Sequence, residues 1–207
     1  MNRIITISRE FGSGGRELGK RMADHLSCDY YDSEIITAVA EKSRLDAGYV
    51  ENMLSDSGWR SFPITFRHSL AVPIASSSTR IELLLLQKQV IEDIAALGRD
   101  FIIVGRNADV LLERYQPFNV FVCADHEAKI ARCMERAPQG EQLTEKELSR
   151  KMKQIDRDRS QTRALMSGSP WGETGSYHLT VNTTGWQIKH LAPAVAAYAQ
   201  AWFEQQK

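Results

Sequence analysis

Ile4-Ile5-Thr6-Ile7-Ser8-Arg9-Glu10-Phe11-Gly12-Ser13-Gly14-Gly15-Arg16-Glu17-Leu18-Gly19 decides how the rest of the chain is read. Ile4 to Ile7 are apolar or β-branched without interruption, as in a strand covered on both faces. Gly12-Ser13-Gly14-Gly15 permits a turn with positive φ and close backbone approach. Leu18, Met22 and Leu26 then recur at helical spacing, so a helix starts within the turn. Strand, glycine turn and helix N-terminus together make an anion trap. The first-turn amides have no intrahelical acceptor and the helix dipole favours negative charge there. Phosphate is the expected anion, and a plain strand-to-helix turn is the competing reading.

The stretch departs from the phosphate loop G-x-x-x-x-G-K-[ST]. With Gly14 as the second glycine, Gly15 stands at the lysine position, Arg16 follows it, and Glu17 lies near the place of the magnesium-binding hydroxyl. Arg9 occupies the first glycine position.

Working outward, 207 residues suffice for one α/β domain with a helical insert. Acidic and basic residues balance at 26 each, which gives no global attraction to nucleic acid or an anionic membrane. Cys28, Cys123 and Cys133 are irregularly spaced and read as reduced thiols, neither a disulfide framework nor a zinc site. Leu83 to Leu86 is too short to span a bilayer, and no signal peptide precedes the opening strand, so a cytoplasmic location is expected.

Cys28 to Ser33 reads as a short aromatic strand leading to a helix through Ile35, Ile36 and Val39, with Asp32 or Ser33 as its N-cap or facing a substrate. Between Ser43 and Thr79 the apolar pattern breaks up around Trp59, Phe62, Pro63, Phe66, His68 and Pro73, as in a lid or binding insert. Arg44, Arg60, Arg67 and Arg80 lie in or beside it. Ile81 to Leu97 is a long helix stopped by Gly98. Phe101-Ile102-Ile103-Val104 is a central strand with Gly105-Arg106-Asn107 at its end, where a guanidinium can pair with phosphate oxygens. A helix around Val110–Leu112, a strand over Phe118–Cys123 and a helix over His126–Arg136 follow. Such alternation argues for a parallel sheet covered on both sides. Thr144-Glu145-Lys146-Glu147 opens a charged helix to Leu165. There Lys153, Arg157 and Arg163 project broadly to one side, and Asp156 and Arg159 sit one turn apart. It reads either as a solvated helix laced with ion pairs or as a lid over a polyphosphate. Tyr177 to Thr183 is the last strand and Ile188 to Phe203 a closing helix.

Ser8-Arg9-Glu10-Phe11-Gly12-Ser13-Gly14-Gly15-Arg16, Tyr31-Asp32, Gly105-Arg106, Asp156-Arg157-Asp158-Arg159, Trp171-Gly172, Tyr177 and Asn182-Thr183 come in an order that resembles the cytidylate kinase-like family of P-loop nucleoside monophosphate kinases. The resemblance implies a P-loop NTPase-type α/β fold, an open five-stranded parallel sheet flanked by helices. It implies one domain over 1–207, with an acceptor-binding insert at about 43–80 and an arginine-bearing lid at about 143–170. The implied reaction moves the ATP γ-phosphoryl to a nucleoside monophosphate, CMP or dCMP first, with Mg2+. Nucleotides would be its partners, not nucleic acid or membrane.

On this resemblance Gly12, Ser13, Gly14, Gly15, Arg16 and Glu17 take the ATP phosphates, Glu17 also touching the metal. Arg16, Arg157, Arg159 and Arg163 supply catalytic charge, while Asp32, Ser33, Arg106 and Asp158 bind the acceptor. Asn107 stands where cytidylate kinases have aspartate, and Ala38 where their acceptor helix has arginine. Two other functions stay open: a catalytically silent nucleotide-binding regulator, and a kinase of a non-nucleotide small molecule.

Overall fold

The computed structural model describes residues 2–54, 77–137 and 144–206. Five strands form one parallel sheet: β1 (Ile4–Arg9), β2 (Asp29–Tyr31), β3 (Phe101–Val104), β4 (Phe118–Cys123) and β5 (Leu179–Asn182), in the order β2-β3-β1-β4-β5. The expected sheet is therefore the one observed. The opening strand is its centre: Ile7 pairs with Val104 on one side and Val120 on the other.

Strand alternation divides the apolar residues between two layers. Ile5, Ile7, Ile102, Val104, Val120 and Val122 pack with Leu18 and Met22 of α1 (Gly15–Leu26) and Ala192, Val195 and Ala199 of α8 (Ile188–Gln205). Ile4, Phe101 and Ile103 turn the other way. They meet α2 (Glu34–Ser43), α3 (Ala47–Leu54), α4 (Ser77–Ala96) and the short α5 (Ala108–Leu111) through Ile35, Val39, Val50, Val90, Ile91 and Ala108. Each of the large core side chains contributes about 1.5–3 kcal/mol by leaving water.

Two helices connect β4 to β5, α6 (His126–Glu135) and α7 (Glu145–Met166). The expected N-terminal signal of α7 is a full capping box: Thr144 Oγ1 accepts from the Glu147 amide, and the Glu147 carboxylate accepts from the Thr144 amide. Thr144→Ala should cost about 1 kcal/mol, read as a fall in melting temperature of about 2–4 °C. An unchanged melting temperature would mean that the start of α7 frays without consequence.

The expected insert at about 43–80 holds α3 and the start of α4, and Trp59, Phe62, Phe66 and His68 lie outside the described residues. Leu143, at the start of the expected lid, does so too. Among the described residues no helix is long and apolar enough to cross a membrane.

Candidate active site

A parallel sheet places its ligands beyond the carboxyl ends of its strands, where neighbouring connections diverge. Here that point is the end of β1, between β3 and β4. The loop that leaves it is held from behind. The Glu10 amide donates to Val122 O, while the Glu10 carboxylate takes the Ala124 amide at 3.2 Å and Lys129 Nζ at 2.9 Å. Thr183, fully buried at the end of β5, donates its hydroxyl to Ser13 O at 2.6 Å. Arg132 of α6 spans two carbonyls, Gly12 O at 2.8 Å and Thr183 O at 3.3 Å. Burial and the nearby Arg136 lower the pKa of that guanidinium.

Anchoring the carbonyls orients the amides. In a trans peptide the N–H points away from the C=O, so the Gly14 N–H faces opposite to Thr183. Gly14 is left-handed at φ 84° and precedes α1 with no side-chain cap. The first-turn amides of α1 therefore have neither an intrahelical acceptor nor a side-chain cap.

From the other side α7 reaches down. Asp156 Oδ1 accepts the Phe11 amide at 2.8 Å, and Arg159 Nη1 donates to Arg9 O at 2.8 Å and to Asp156 at 3.2 Å. Burial raises the Asp156 pKa against the opposing pull of Arg159 and that amide. The expected Asp156–Arg159 neighbourhood is present, and it ties the helix to the loop.

At the end of β3, Gly105, Arg106 and Asn107 are left-handed in succession, with φ of 76°, 61° and 50°. Two non-glycine residues in that region are costly. Gln87 of α4, 2% exposed, holds the turn by donating to Arg106 O at 3.3 Å. Its own Oε1 and the Nε of Arg106 are buried without a partner among the described residues. Arg9, Gln87, Arg106, Asn107 and Arg159 line one cleft, and the unmet acceptor and donor belong to two of those residues. A bound polar group would satisfy both.

The remaining expected residues fall in three places. Arg16 ion-pairs with Asp32, a 4% exposed carboxylate whose Oδ1 lacks a partner among the described residues. Asp32 is therefore not the cap of α2, and Ser33, which precedes α2, makes no side-chain cap bond either. Glu17 is gripped by Arg21 and Arg136. Burial pushes its pKa up, yet the two guanidiniums hold it below the usual value. The carboxylate expected to touch a metal is thus paired with two cations. Among the described residues no three Asp, Glu, His or Cys side chains gather around a point that would hold a metal.

Arg163 departs from the expected face of α7. It lies inside, its side chain 4% exposed, bonded to Asp109 and to Ser169. It does not join Lys153 and Arg157, which are exposed on α7. The interior face of α7 carries Leu148, Met152, Ile155, Thr162 and Arg163, so a lid arginine was expected on the wrong side of the helix. Asp158 accepts from Gln154 one turn back at 2.7 Å.

Three residues of the site went unread in the sequence: Arg132 and Gln87, for which periodicity held no signal, and Arg9, seen there only as a departure. A cleft of about 790 Å³ bordered by Arg3, Asp100, His178 and Trp202 lies where the strands begin. That is the wrong end of the sheet for the ligands of such folds.

Among solved structures, an uncharacterized protein from Eubacterium ventriosum ATCC 27560 is similar, with 24% identity and a TM-score of 0.70 over 97% of this chain and 99% of that one. Shikimate kinase from Acinetobacter baumannii follows at 11% identity and a TM-score of 0.54, covering 97% and 94%. Shikimate kinase from Bacteroides thetaiotaomicron shows 14% identity and a TM-score of 0.54, covering 96% and 98%. These likenesses show the kinase fold. No curated protein matches the sequence. The family model described as "Cytidylate kinase-like family" matches residues 4–185, and the chain belongs to that family.

Proposed function

We propose that the protein transfers the γ-phosphoryl of ATP to a nucleoside monophosphate, with CMP and dCMP first among the acceptors. One observation carries the reading. The uncapped start of α1 and the turn held by Gln87 both stand at the carboxyl end of the sheet, and Arg9, Arg106 and Arg159 line the cleft at that turn. A donor phosphate chain on the loop and an acceptor at the Arg106 turn would meet there. Phosphoryl transfer asks of a protein chiefly that alignment and positive charge on the moving group. An oxygen of the acceptor phosphate bonds to the γ-phosphorus as the bond to the β–γ bridging oxygen breaks, and ADP leaves. A dianionic acceptor phosphate has no proton to lose.

Magnesium, which neutralises phosphate charge in such reactions, would be held by phosphate oxygens and water, as this ion commonly is.

A second reading is favoured by Asp32. Its carboxylate is tied up by Arg16, and Asn107 and Ala38 replace residues of the cytidylate-binding pattern, which leaves room for a non-nucleotide hydroxyl acceptor. Purified protein with MgATP and a panel of nucleoside monophosphates and small alcohols, scored for ADP release, decides. Release with CMP or dCMP is the expected result. Release with an alcohol alone would replace the acceptor class, and ATP binding without release from any acceptor would make the protein a silent nucleotide-binding regulator.

A further inference from the structure

We infer that Arg9, not Arg16, supplies the cation that phosphate loops normally place on a lysine, an assignment that rests on the proposed kinase reading. Two glycines carry the argument, and both are explained by one side chain. A Cβ added at Gly15, the lysine position, would stand 2.6 Å from Arg9 Cβ and 3.1 Å from Arg9 Cγ. A Cβ added at Gly105 would collide with Arg9 Nη1 and stand 2.7 Å from its Cζ. The arginine thus leaves the backbone where the lysine would begin and lays its guanidinium on the turn at the end of β3. Position 15 is glycine because Arg9 fills its side-chain space. Position 105 is glycine because the guanidinium lies against it.

The chain has exchanged the first glycine and the lysine of the loop between positions 9 and 15. The positive charge stays in the site, carried by a longer, forked group. That group borders the same cleft as Arg106 and Gln87, between the donor loop and the proposed acceptor turn. A lysine in a phosphate loop reaches the β- and γ-phosphates, and Arg9 starts beside the lysine position with its guanidinium against Gly105. Arg16, by contrast, points to Asp32 with its side chain 55% exposed. It borders a separate open surface with Glu17, Lys20 and Arg136.

The test uses the whole chain, with ATP and AMP affinities measured at equilibrium beside kcat and KM for CMP phosphorylation. Arg9→Gly is expected to lower kcat about a hundredfold or more and to weaken ATP binding more than AMP binding. Gly15→Lys alone should also fail, since its Cβ meets Arg9. The double variant Arg9→Gly/Gly15→Lys should regain at least about a tenth of the wild-type rate, because it rebuilds the ordinary loop with its lysine charge. Gly105→Ala keeps every charge but pushes the guanidinium aside, and should lower kcat without removing ATP binding.

Wild-type ATP affinity and turnover in Arg9→Gly would overturn the assignment and leave the kinase reading standing. Should Arg9→Gly not fold, a fully active Gly105→Ala would overturn it instead. Failure of the wild-type chain to bind ATP would overturn the kinase reading itself, and the assignment with it.

Discussion

Asp109→Ala is expected to destabilise the protein by about 3–5 kcal/mol, the usual consequence of removing one partner from a buried ion pair. For a chain of this length that is a fall in melting temperature of roughly 6–20 °C. Asp109 and Arg163 have side chains 2% and 4% exposed and bond directly to one another. Arg163 also gives hydrogen bonds to Ser169 O at 3.1 Å and Ser169 Oγ at 3.0 Å, and its guanidinium lies 5.5 Å from the centre of the Tyr177 ring. The ion pair and the ring contact both use the charge of the arginine, so losing the carboxylate strands a cation away from water. Asp109→Leu combined with Arg163→Met removes both charges and should cost less than either single change. Thermal unfolding of Asp109→Ala, the singles Asp109→Leu and Arg163→Met, and the double variant checks the prediction, and a double variant as damaged as the singles would refute the buried-charge account. The pair also pins the end of α7 to α5, just past the Arg106 turn. A motion of α7 over the site would therefore pivot on that end.

That pair also shows where sequence reading stops. Strands β1, β3 and β4 were legible because a run such as Phe101-Ile102-Ile103-Val104, buried on both faces, has no alternative use on a chain with this alternation. The helix signals at Thr144 and Gly98 were legible because caps are local chemistry. Arg163 was not. Helical spacing groups residues into faces, but on a helix as polar as α7 it does not say which face turns inward. Only Asp109, 54 residues away in sequence, decides that. The site followed the same division. Loop and turn glycines announced themselves, since few side chains tolerate their conformations. Arg9 did not, because its meaning depends on two glycines at 15 and 105 that are brought together only by the sheet. The one available signal was that a misplaced arginine and a missing lysine occur in the same loop. Short elements were blurred as well: Val110 to Leu112 suggested a helix, and the structure gives a four-residue α5 running into a 3-10 turn.

Arg106→Gly should separate function from stability in a way that a merely structural residue would not. Arg106 is left-handed at φ 61°, which costs an ordinary residue about 1–2 kcal/mol, whereas glycine adopts it freely. Its Nε is buried without a partner, a further cost to the folded chain. The turn itself does not need the side chain, because Gln87 holds it through the backbone carbonyl of residue 106. Arg106→Gly is accordingly expected to raise stability by about 1 kcal/mol, or roughly 2–4 °C in melting temperature. The same change should lower kcat for the proposed phosphoryl transfer about 10²–10³-fold, the usual loss when one charge-stabilising donor is removed. Strain of this kind persists only where the surroundings impose it, and it collects at binding sites. Melting curves and initial rates on the same preparation provide the check. If stability and turnover fall together, the guanidinium is a strut of the fold. If stability rises while turnover falls, its unmet Nε is reserved for the acceptor.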